Sequence, residues 1–131
     1  ALALTLAPGG GVLVIDDIPL ASALGTTDLE RFKRGWQCPV LWTRREYLDA
    51  FDAAGLQVVD DVDLTGDCRP RSFTGIQWLM GLNRLAHLLP SPALRQVLDS
   101  HCGGLALERL TRSGHMQYRL LFARRPELTV S

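Results

Sequence analysis

The chain has 131 residues, 47% of them hydrophobic and 21% charged, and its fourteen basic and fourteen acidic side chains balance to a formal net charge of zero. That length supports one globular domain, and that balance gives no long-range attraction to nucleic acid or to an anionic membrane. No apolar run reaches the ~18 residues of a membrane span, so the expected product is a cytoplasmic protein without one.

Cys38, Cys68 and Cys102 are odd in number and lack any CxxC spacing. Such a set fits a reducing compartment and argues against a zinc site or a disulfide framework. Residues 1–6 read as the last turns of a helix, stopped by Pro8 and released by Gly9-Gly10-Gly11. A chain that opens in mid-helix without an initiator methionine predicts a piece of a longer polypeptide. The glycines precede their strand, whereas a phosphate-binding loop follows one and opens a helix. The unbroken apolar run beginning at Val12 predicts a strand over 12–16 covered on both faces, with two carboxylates, Asp16 and Asp17, at its end. Open α/β sheets bind ligands at such carboxyl ends. Pro19 predicts a loop from Ile18 to Gly25.

Thr27 to Glu30 reads as a capping box opening a short helix that Gly35 closes. Thr43 to Glu46 repeats the signal. Tyr47, Leu48, Phe51 and Ala54 follow at helical spacing, which predicts a helix over 43–54 stopped by Gly55. A strand over 56–62 completes a β-α-β unit whose two strands should be parallel. Helices are predicted over 73–89 and 92–112, the second interrupted at Gly103-Gly104. The stretch 73–89 is apolar around most of its circumference, as befits a buried helix, a pocket wall or an interface. Residues 116–124 form the last predicted strand.

This order resembles the carboxyl-terminal half of a class I S-adenosylmethionine-dependent methyltransferase. The segment Leu6-Ala7-Pro8-Gly9-Gly10-Gly11-Val12-Leu13-Val14-Ile15-Asp16 is similar to that family's Leu-x-Pro-Gly-Gly turn and fifth strand. Asp52-Ala53-Ala54-Gly55-Leu56 is similar to its "AGF" corner, and the run from Gly114 to Arg124 to its last strand. The long helical stretch resembles small-molecule methyltransferases of the tocopherol, sterol and polyketide-tailoring kind. The resemblance implies an α/β fold: one domain over 1–131 with a partial Rossmann-like sheet of three strands, the last antiparallel, and a helical insertion before it. It implies methyl transfer from S-adenosylmethionine to a small organic acceptor. The cofactor's glycine-rich loop and adenine-side acid have no counterpart here, so the resemblance leaves this chain the acceptor side and no cofactor-binding residue of its own.

Asp16 and Asp17 are candidate catalytic acids, able to take a proton or a hydrogen bond from an acceptor hydroxyl or amine. His87 is a candidate base near neutral pH. Trp36, Trp42, Trp78 and Asn83 are candidate acceptor-binding residues, with Tyr47 beside the first two. Each also has a plainer reading, as a solvated acid, a core aromatic or a satisfied histidine. The three histidines have no ligand spacing for zinc, and no metal is expected. Two other functions compete. One is a non-catalytic fragment or interaction module using the helix 73–89 as a dimer interface. The other is a nucleotide-dependent oxidoreductase, weakened by the absence of a dinucleotide loop.

Overall fold

A computed structural model describes residues 6–67, 81, 85, 88 and 91–127. The chain forms two compact units: Ala1–Ile18, Trp42–Cys68 and Gln117–Ser131 build one, and Pro19–Leu41 with Arg69–Met116 the other.

The first unit is a three-stranded sheet backed by a helix. Its strands are β1 (Gly11–Pro19), β2 (Gln57–Asp63) and β3 (Met116–Arg124), in the order β1-β3-β2. β3 is antiparallel to β2, with Gln57 opposite Arg124 and Asp63 opposite Arg119, and a bulge between Val58 and Asp60. Next to β1 the ladder runs from Gly9 N–H on the Arg125 carbonyl to Leu20 N–H on the His115 carbonyl, so that pair is antiparallel too. β1 and β2 therefore point the same way, as a β-α-β reading expects, but they are not neighbours. The last strand lies between them.

Helix α2 (Arg44–Ala53) covers one sheet face. Thr43 caps it with both arms of a capping box, its hydroxyl accepting from Glu46 N–H while the Glu46 carboxylate accepts from the Thr43 backbone at 2.6 Å. At the other end Gly55 has φ 69°, and the N–H groups of Gly55 and Leu56 return to the Asp52 and Phe51 carbonyls. That left-handed residue is why the corner carries a glycine. Tyr47 and Phe51, one turn apart, meet Ile18, Leu56, Leu121, Ala123, Val12 and Val14 in a single cluster. Asp61 on β2 joins three elements, held by Arg44 of α2 at 2.5 Å and by Arg119 of β3 at 2.6 Å.

Two expectations change here. β1 runs from Gly11 to Pro19 rather than over 12–16, because proline lacks only its own N–H and closes a strand without loss. Nor is β1 covered on both faces: Leu13 is 58% exposed and Ile15 48%, while Val12 and Val14 pack inward. The strand alternates in environment although its sequence does not.

The second unit packs α1 (Thr27–Gly35) with α3 (Pro92–Arg112). Leu29 and Phe32 of α1 meet Ala106 and Leu110 of α3, with Ala23 and Met116 filling the same cluster. Burying each large side chain is worth about 1.5–3 kcal/mol, so this cluster is a main source of stability among the unit's described residues. The cap of α1 is Thr26, one residue earlier than the sequence suggests; its hydroxyl accepts from Leu29 N–H, and Glu30 pairs with Lys33 instead. α3 continues unbroken through Gly103-Gly104, correcting the predicted interruption. The reason is proximity. A Cβ on Gly103 would lie 2.9 Å from the Trp36 ring and 3.1 Å from Gly35 Cα, and one on Gly35 would run into the Asp99 carbonyl. The glycines let the two helices touch backbone to backbone. Apart from residues 81, 85 and 88, the predicted helix 73–89 lies outside the described residues.

Gly35→Ala should destabilise the protein by about 2 kcal/mol, because the colliding atoms are backbone and cannot swing aside. Gly66, where an added Cβ would meet nothing within 4 Å, is the control. Urea unfolding of Gly35→Ala and Gly66→Ala tests this; equal midpoints would refute the close crossing.

Candidate functional site

The carboxyl end of β1 carries the acids. Side chains alternate along a strand, so adjacent aspartates must point to opposite faces. Asp16 shares the face of Val12, Val14 and Ile18, which pack against α2. There its Oδ2 accepts a hydrogen bond from the Tyr47 hydroxyl at 2.5 Å, and its Oδ1 accepts from Asp17 N–H at 2.9 Å. Burial, the bond to Asp16 and the Asp16 charge together raise the Tyr47 phenol well above its ordinary value, so it stays a donor. Asp17 falls on the other face, with Leu13 and Ile15. Partial burial, then the charge of Asp16, push its carboxyl up to about 6. A carboxylate so placed takes a proton readily and still stands largely ionised at neutral pH.

An aromatic row adjoins the pair. The Trp42 ring lies 5.2 Å from that of Tyr47, and Tyr47 lies 6.4 Å from Phe51. Trp42 remains 42% exposed, which leaves part of its surface able to meet a ligand. Trp36 belongs to the helical unit. Its ring packs on Phe32 at 5.2 Å and its Nε1 donates to the Ser100 carbonyl, which gives it a structural task. His87, Trp78 and Asn83 lie outside the described residues, as does nearly all of the helix invoked for a dimer interface. Among the described residues, two concavities lie elsewhere. One, of about 480 Å³, is lined by Glu30, Lys33, Arg34, Gln37 and Pro39. Another, of about 350 Å³, is lined by residues that include Gln57, Arg124 and Arg125. Neither includes Asp16 or Asp17.

Sequence reasoning placed Tyr47 among the aromatics near the acids but missed its bond to Asp16. Thirty-one positions separate the two, and no spacing signals such a contact. The link between Arg44, Asp61 and Arg119 was likewise invisible, since it depends on the strand order.

No protein-family model matches the chain, and no curated protein sequence matches it. Solved structures do. Geranyl diphosphate C-methyltransferase from Streptomyces coelicolor A3(2), crystallised with Mg2+, geranyl diphosphate and S-adenosyl-L-homocysteine, superposes with TM-score 0.62 at 22% identity, over 95% of this chain and 39% of its own. StiE O-MT, residues 942–1257, gives TM-score 0.58 at 15% identity, over 98% and 38%. The [4+2]-cyclase SpnF gives 0.52 at 23% identity, over 96% and 42%. The chain thus spans about two-fifths of the length of the structures it matches. At these identities the likeness shows fold, and the fold is that of class I S-adenosylmethionine-dependent methyltransferases.

Proposed function

We propose that this chain is the acceptor-side half of a methyltransferase that moves a methyl group from S-adenosylmethionine to a small organic acceptor. The observation that carries the reading is Asp17, a carboxylate with near-neutral proton affinity at the carboxyl end of a sheet strand. Support comes also from structures of the same fold that hold S-adenosyl-L-homocysteine or S-adenosylmethionine. The cyclase among them is a reminder that one fold hosts several chemistries, so the weight falls on the acid and not on the fold.

The described residues do not by themselves fit the cofactor. The only run of three glycines among them, Gly9 to Gly11, lies at the opposite end of β1 from the acids. The remainder of such a domain would bind S-adenosylmethionine, which supplies an electrophilic methyl group. This chain's own part is with the acceptor. Asp17 accepts the proton that an acceptor hydroxyl or amine gives up as its oxygen or nitrogen gains the methyl carbon. The exposed part of Trp42 offers an apolar surface on the Tyr47 side of the acid pair.

Three outcomes test the reading. Titration calorimetry of the isolated chain should find weak or undetectable binding of S-adenosylmethionine; micromolar affinity would contradict the half-domain assignment. In the full polypeptide that contains this chain, Asp17→Asn should lower kcat by roughly 10²–10³ and leave cofactor affinity within about twofold. An unchanged rate over a panel of hydroxyl and amine acceptors removes Asp17 from the chemistry.

The raised proton affinity of Asp17 also has a thermodynamic sign. Its folded value of about 6 exceeds the ordinary 3.8, so the native state binds the extra proton between those values. The contribution of Asp17 to stability therefore declines as pH rises from about 4 to 6 and is flat above. Asp17→Asn should be more stable than the parent at pH 7, with the gain shrinking toward pH 4 in urea melts at each pH. A gain independent of pH would show that Asp17 is not held in this way.

A further inference from the structure

Asp16 differs from its neighbour in having both carboxylate oxygens committed, one to the Tyr47 hydroxyl and one to the Asp17 amide. The first bond ties β1 to α2, and the second ties the carboxylate to the backbone that carries Asp17. Tyr47 is itself held between the rings of Trp42 and Phe51. The donor is thus fixed before any ligand arrives.

We propose that Tyr47 and Asp16 form a positioning pair, in which the phenol pins the Asp16 carboxylate beside Asp17 and that fixed charge tunes Asp17 as the proton acceptor. This rests on the reading of Asp17 given above, although its test does not need methyl transfer. Most other charged groups on the packed elements are engaged elsewhere. Arg44 and Arg119 bind Asp61, Arg45 pairs with Asp49, and Glu46 caps Thr43. Asp52 of α2 and Tyr118 and Arg124 of β3 complete the titratable groups of those elements. The Asp16 carboxylate is the charge that bears on Asp17. Neither Asp16 nor Tyr47 need touch an acceptor for this role.

The two members act differently and separate by substitution. Asp16→Asn removes the charge and keeps a group that the Tyr47 hydroxyl can bond. Tyr47→Phe removes the hydroxyl and keeps the ring packing, which frees the Asp16 carboxylate to turn toward water. Carbon-detected NMR of the Asp17 carboxyl reads its titration midpoint directly. Asp16→Asn should lower that midpoint by roughly 0.5–1 pH unit, as loss of a nearby like charge requires. Tyr47→Phe should lower it by a smaller amount. A midpoint unchanged or raised in either folded variant overturns the proposal. The unsubstituted protein offers a check that involves no folding risk. Raising salt from about 0.02 to about 0.5 M should lower the Asp17 midpoint by screening Asp16, and a midpoint indifferent to salt counts equally against the pair. Loss of methyl transfer in Asp17→Asn with these shifts present supports both readings. Shifts present with transfer intact leave the pair standing and remove only Asp17's catalytic role.

Discussion

The sheet depends on its last strand. β1 and β2 are joined through a helix and run the same way, and neither hydrogen-bonds the other. β3 supplies the ladder for both, and its Leu121 and Ala123 are wholly buried at the centre of the cluster that α2 completes. Its Arg119 then reaches Asp61 on β2, only 13% and 15% of the two side chains remaining exposed. A charge pair that sheltered is costly to break by removing one member, which makes it a strong constraint on how β2 lies against β3. The end of β1 that carries the acids is therefore placed by a strand about a hundred residues later in the chain.

Two consecutive aspartates in one strand have been given two environments by the pleat alone. One is drawn onto a tyrosine and a helix, the other onto the opposite face beside leucine and isoleucine, where it is half-buried. Their chemistry differs because their neighbours differ, not because the residue does. The proposed division of labour follows: one carboxylate acts on the acceptor and the other acts on its neighbour. A fold shared with both methyltransferases and a cyclase permits such a site without dictating it.

Local signals were legible where local physics decides. The capping box at Thr43 and the stop at Gly55 each involve residues within one turn of each other, and the structure forms them where the sequence places them. The ordered motifs also pointed to the observed fold. Illegible features depended on distant residues. The open face of β1 reflects what the described residues stack on it, which a run of valine, leucine and isoleucine cannot reveal. Gly103-Gly104 looked like a break because glycine is a poor helix former, yet a neighbouring helix needed that space. Within the site the sequence singled out both acids, but the tyrosine that distinguishes them emerged only from the packing of α2 on the sheet.

The glycine pair inside α3 has a consequence for how that helix moves. Each glycine weakens the local helix by about 1 kcal/mol relative to alanine, so continuity there relies on the contact with α1. On the carboxyl side of the pair Leu105, Ala106 and Leu110 are buried, whereas on the amino side Leu94 and Val97 are more than half exposed. The helix is one rod in shape and two segments in stability. Its first turns, ahead of the crossing at Asp99 and Ser100, can fray and re-form on their own timescale, while backbone amides beyond the glycines are released to hydrogen exchange only when the core itself opens.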